Sequence, residues 1–174
     1  MVNFYHTFAR IVKLGIFLAI LFYFGNTVSM AQTKPSVSIE GEVQRKLTLE
    51  SSDFLKMKRA KATLIDREGT SHVYEGVPVT DILDTAGVTL GRQLRGENLS
   101  KYLLVKCADG YQVLFSLAEL DSSFTERVVI LADQMDGRPI QDGRGPFRLI
   151  VPGEKAPARS SFEVTTFIVG IAKD

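Results

Sequence analysis

The chain has 174 residues, with 21 Lys+Arg against 20 Asp+Glu, a hydrophobic fraction of 45% and a charged fraction of 24%. That composition suits one globular domain and excludes a protein built mainly to grip nucleic acid, which needs a strongly basic surface. A single Cys excludes an internal disulfide and a Cys-rich zinc site.

Residues 1–31 form an address. They carry Arg10 and Lys13 and no acid, then an apolar run over 16–24, then small and polar residues ending Ser29-Met30-Ala31. A basic end, an apolar core and small residues before a cut make a secretory signal, cleaved after Ala31. An uncleaved membrane anchor is the alternative, but the apolar run falls short of the roughly 20 residues that span hydrocarbon. Export puts the protein in the periplasm or outside the cell, with a membrane involved only through an uncleaved signal. The organisation expected is a signal over 1–31 and one domain over 32–174. The mature chain keeps one histidine, His72, and one cysteine, Cys107.

Alternation predicts extended segments over 36–39 and 46–49. Ser51 or Ser52 caps a short helix over 53–56. A strand over 62–65 turns through Asp66-Arg67-Glu68-Gly69 and returns over 71–74. The clearest helix covers 78–86. Pro78 suits its first position, Val79, Ile82, Leu83 and Ala86 form one apolar stripe, and Gly87 stops it. A polar loop over 90–97 follows. The strand over 101–107 turns at Asp109-Gly110 and returns over 111–115, a hairpin pattern. One helical turn over 117–120 precedes a strand over 127–132, a turn at Asp136-Gly137, a strand over 147–151 closed by Pro152-Gly153, and a last strand over 162–171. Short strands with one or two short helices make an α+β, mostly β fold.

Three features weigh toward structure. Cys107 ends an apolar strand and reads as a core residue. His72 has no second His or Cys nearby and reads as a half-buried strand residue. Lys56, Lys58, Arg59 and Lys61 read as a solvated edge, with an anion-binding patch as the alternative. Asp133 and Asp136 flank a turn. No phosphate-binding glycine loop is present. The loop Gln141-Asp142-Gly143-Arg144-Gly145-Pro146 carries the chemistry. Its glycines let the backbone approach a ligand, Arg144 and Arg148 flank it, and Arg159 follows a second loop. Guanidinium groups bind oxyanions in a forked geometry. Arg144 and Arg159, with Arg148 as a weaker candidate and Tyr111 adding a hydroxyl, form a candidate anion cradle. Two ordinary turns with solvated arginines are the alternative.

These segments resemble the sulfite-oxidase-type oxidoreductase molybdopterin-binding domain family. Gly76-Val77-Pro78-Val79-Thr80-Asp81-Ile82-Leu83 with Ala86-Gly87-Val88, then Ala108-Asp109-Gly110-Tyr111, then Phe115-Ser116-Leu117-Ala118-Glu119-Leu120, and Gly145-Pro146-Phe147-Arg148-Leu149-Ile150-Val151-Pro152-Gly153 follow its motifs in order. The resemblance runs from about 38 to 169. It implies a compact mixed sheet and a pterin bound among loops, with molybdenum held by a Cys thiolate after the strand preceding the Gly76-Val77-Pro78 segment. Here that stretch, 62–69, contains no Cys, and Cys107 stands on another strand. The resemblance therefore implies a domain of this fold without the metal-ligating thiolate. It would be a module binding a pterin, another small anion, or a protein of the cell envelope. The alternatives are an active oxidoreductase whose metal is held by the pterin alone, and a structural envelope domain.

Overall fold

In β1 (Ser36–Gly41), Val37 and Ile39 are fully buried while the residues between them are not, the period-two pattern of a strand with one covered face. β1 is antiparallel to β2 (Leu47–Glu50) and parallel to the last strand, β10 (Val164–Ile171), with Ile39 opposite Phe167. β10 in turn pairs with β5 (Lys101–Cys107), and β5 with β6 (Gln112–Ser116), both antiparallel. The order β2-β1-β10-β5-β6 makes a five-stranded mixed sheet. This computed structural model describes residues 34–66, 68–141 and 143–172. The signal expected over 1–31 lies outside them.

A second, antiparallel sheet has β3 (Ala60–Ile65), β4 (Ser71–Pro78) and β7 (Ile130–Met135) side by side. Two short strands, β8 (Arg138–Pro139) and β9 (Arg148–Ile150), both pair with the far side of β7. Neighbouring residues of this sheet face opposite ways. Val77, Leu131 and Leu149 join the main core with Val37, Leu103, Phe115 and Phe167 of the first sheet. Tyr74, Ile130, Ala132 and Ile150 join a smaller cluster with Ala62, Leu64 and Ile140. Both faces of the second sheet are therefore covered.

Among the described residues, two short α-helices complete the α+β, mostly β architecture. α1 (Ser51–Phe54) is capped by Glu50 rather than a serine, with the Glu50 N–H donating to Asp53 at 3.0 Å. α2 (Val79–Thr85) follows β4 directly, and Pro78 is its cap rather than its first residue. Its expected stripe of Val79, Ile82, Leu83 and Ala86 is completely buried in the main core. The expected loop over 90–97 contains short 3-10 turns, Gly91–Gln93 and Gly96–Ser100. β7 begins three residues later than expected. Val128 is exposed, and pairing with β4 starts at Ile130. Cys107 lies in the main core, where burial pushes its thiol pKa up. Arg59 binds Asp133 and Glu75, Lys61 reaches Glu75, and Lys56 reaches Asp53, so most of the cationic run is paired at an edge.

One end of the second sheet gathers the loops. The turn leaving β3, the start of β4, the β7–β8 turn and the entry to β9 all lie there, as the antiparallel pairings require.

Candidate functional site

A cavity of about 300 Å³ opens at that end. Its lining includes Asp66, His72, Tyr74, Arg144, Arg148 and Phe162. Strand alternation explains the set. His72 and Tyr74 are two apart on β4 and share a face, and Arg148 shares the face of Ile150 on β9.

Arg148 is 8% exposed. Its guanidinium carbon lies 4.0 Å from the Phe162 ring centroid and 5.0 Å from that of Tyr74, so two aromatic faces enclose it. One terminal nitrogen donates to the Tyr74 hydroxyl. Its Nε is buried with no hydrogen-bond partner. Among the described residues no carboxylate pairs with Arg148, and another cation, Arg144, acts on its charge. Burial lowers its pKa, and burial raises that of Tyr74. Arg144 is exposed and stands 5.9 Å from the Phe162 ring. Among the described residues the other buried charge, Asp121, is treated differently, accepting hydrogen bonds from the Gly91 and Ser123 N–H groups.

The same cavity also has an acidic part of its lining, Asp66 and Glu68 beside His72. His72 Nδ1 lies 2.6 Å from Asp136 Oδ2, and its Nε2 lies 3.5 Å from Asp66 Oδ2. The bond to Asp136 raises the His72 pKa. The Asp66 pKa is held low, first by the Thr70 N–H, and that of Asp136 first by His72.

The four candidates from sequence divide. Arg144 and Arg148 meet in the cavity, and Arg148, taken as the weaker, is the buried one. Arg159 turns away. Its Nε donates to Glu154 at 2.9 Å and a terminal nitrogen donates to Glu119 at 3.1 Å, while it stacks 4.4 Å from the Phe115 ring. Arg127 reaches the same two carboxylates, which makes a neutral quartet of two arginines and two glutamates. Tyr111 is exposed, and its hydroxyl donates to the Ala158 carbonyl at 3.0 Å. It fastens the Asp109-Gly110 turn to the 3-10 turn Pro157–Arg159, whose Pro157 lines the cavity, but Tyr111 is not itself a lining residue.

Sequence reasoning missed Tyr74 and the Asp66–His72–Asp136 group. The hairpin turn hinted at Asp66 near His72. Asp136 arrives only through the β4–β7 pairing, in which Tyr74 lies opposite Met135.

No curated protein matches the chain in sequence. Among solved structures it is similar to the sulfane dehydrogenase SoxCD from Paracoccus pantotrophus, with a TM-score of 0.60 and 22% identity over 80% of this chain. The match spans 38% of that chain, so the likeness is one of fold to part of a longer protein. The family model described as the oxidoreductase molybdopterin binding domain matches residues 25–160. The chain therefore belongs to the oxidoreductase molybdopterin-binding domain family.

Proposed function

We propose that this chain is an exported binding domain that holds a small oxyanion in the cavity and works without a molybdenum ligated by a protein thiolate. Arg148 carries the reading. A buried charge is costly unless paired. This guanidinium is enclosed by two rings, carries an unsatisfied N–H, and has no carboxylate partner among the described residues. An oxyanion entering between it and Arg144 supplies the missing partner in the forked geometry guanidinium groups favour. A pterin phosphate is one anion of this kind.

The metal half of the family's cofactor does not fit. Soft thiolate ligation needs a deprotonated sulfur. The cavity lining contains no Cys, and the Cys107 thiol is buried in the main core with a raised pKa. The stretch where the resemblance puts the family's thiolate, 62–69, has no Cys, and its Asp66 is a carboxylate facing an imidazole. The signal pattern over 1–31 supports a location in the periplasm or outside the cell, with a protein of the envelope as the receiver of the bound anion.

Two measurements test the reading. Calorimetric titration with inorganic sulfate should show one site per chain, and Arg148→Met should abolish it. Elemental analysis of protein purified from the envelope fraction should find molybdenum far below one atom per chain. Near-stoichiometric molybdenum would overturn the metal-free reading, and no sulfate binding would overturn the oxyanion site.

A further inference from the structure

The acidic rim is arranged beyond what its turns require. Asp66 Oδ1 accepts the N–H groups of Glu68 and Thr70, which completes the β3–β4 turn. Asp136 Oδ1 accepts the Val73 N–H. Each carboxylate keeps its other oxygen, Oδ2, for one nitrogen of His72. A carboxylate only accepts, and a neutral imidazole has only one N–H. The 2.6 Å bond to Asp136 and the 3.5 Å ion contact to Asp66 are favourable together only when both ring nitrogens carry protons. Neutral His72 would turn a lone pair toward one of the two carboxylates.

We propose that the cavity binds its oxyanion together with a proton, and that His72 is the group that takes the proton. This rests on the oxyanion reading above. The charged and titratable groups around His72 are Asp66 and Glu68 after β3, Tyr74 on its own strand, Asp136 from the β7–β8 turn, and Arg144 and Arg148 across the cavity. With His72 neutral, the incoming anion meets Asp66 and Glu68 in the lining and Asp136 behind them, with the imidazole cancelling none of their charge. With His72 protonated, one of those charges is cancelled. The anion therefore binds the protonated form more tightly, and by linkage it raises the proton affinity of His72 in turn. The proton passes from a hydronium ion or buffer acid in solvent to the free imidazole nitrogen, where an N–H bond forms as the donor's bond to it breaks, and nothing else reacts.

Inorganic sulfate is the probe, because it stays a dianion across the histidine range. The full chain is titrated at about pH 5.5 and about pH 8.5, on either side of that range. Repeating the titration at neutral pH in two buffers of different ionisation enthalpy counts the protons taken up. Binding should weaken about tenfold at the higher pH, the effect of one pKa unit of coupling. A fraction of a proton should be absorbed at neutral pH, and His72→Gln should bind sulfate with no pH dependence. If that variant does not fold, the His72 ring resonances of the unmodified chain, titrated with and without sulfate, should show a pKa raised by the anion. Wild-type binding that is equally tight at both pH values, with no proton uptake, overturns this proposal and leaves the oxyanion site standing. Absence of binding at either pH overturns the oxyanion site and this proposal with it.

Discussion

Arg148→Met separates a binding residue from a structural one. The change deletes the charge but keeps an apolar side chain of similar reach beneath Phe162 and Tyr74. Three interactions are lost: the charged hydrogen bond to the Tyr74 hydroxyl, about 2 kcal/mol, and two partly desolvated cation–π contacts, about 1 kcal/mol each. Against these stands the desolvation of a guanidinium that is 8% exposed and has no carboxylate partner among the described residues, which costs several kcal/mol. The opposing contributions nearly cancel, so the variant should unfold within about 1 kcal/mol of the wild type. Ligand response should differ sharply. At a hundred times its dissociation constant, sulfate bound at one site stabilises by about 2.7 kcal/mol. For a domain of this size that raises Tm by roughly 8 °C. Sulfate also stabilises proteins generally by exclusion from their surfaces, and the variant should retain that smaller shift alone. The assay is thermal unfolding of both proteins over a sulfate series. Equal shifts in the two, together with a loss of 3 kcal/mol or more in the variant, would make Arg148 a structural strut and refute the reasoning.

Arg159→Ala should leave sulfate binding unchanged and lower stability by about 1 kcal/mol, because it breaks a half-exposed ion quartet rather than the cavity; titration and chemical denaturation read the two effects. The rim should be most stable between the ordinary carboxylate and histidine ranges. His72 has a raised pKa, so its contribution is complete below about pH 6.5 and is lost as pH rises through the folded value. Asp66 and Asp136 have lowered pKa values, so theirs is present above 3.8 and is lost as pH falls through the folded values. Tm measured against pH should show both flanks, and His72→Gln should remove the alkaline one. Gly76→Ala should destabilise by about 3 kcal/mol, seen in urea unfolding, because an added Cβ would sit 2.1 Å from the Leu131 carbonyl oxygen where β4 meets β7 at a register shift.

Strands and turns were legible because their signals are local. Alternation in 36–39, the turn residues Asp109-Gly110, and the apolar stripe of α2 each act within a few residues, and each lies where expected. The start of β7 was not. Arg127-Val128-Val129 has strand-like residues, yet Arg127 is drawn into the quartet with Glu119 and Glu154, and Val128 faces solvent. The division into two sheets was equally hidden. It depends on the parallel pairing of β1 with β10, strands at opposite ends of the described chain. No local pattern specifies that partnership.

The site shows the same divide with chemical consequences. Arg144 and Arg148 were visible because they border a glycine-bearing loop. Arg159 stands beside them in the sequence because it follows a second loop, 153–158, and falls in the stretch where the resemblance implies a basic residue. In the fold Glu119 and Glu154 answer its charge, so it offers no free cation to a ligand. The Asp66–His72–Asp136 group joins residues up to 70 positions apart, across two hairpin ends of one sheet. Its contacts bear on what the cavity can hold. A hard cation entering at the rim would have to displace the imidazole from two carboxylates it already satisfies. A soft metal would find no thiolate among the lining residues. The uncompensated charge lies at the other end, on a guanidinium whose N–H has no partner. Physical complementarity at such a cavity favours an anion, and the sign of that charge follows from which side chains the second sheet turns toward its own loops.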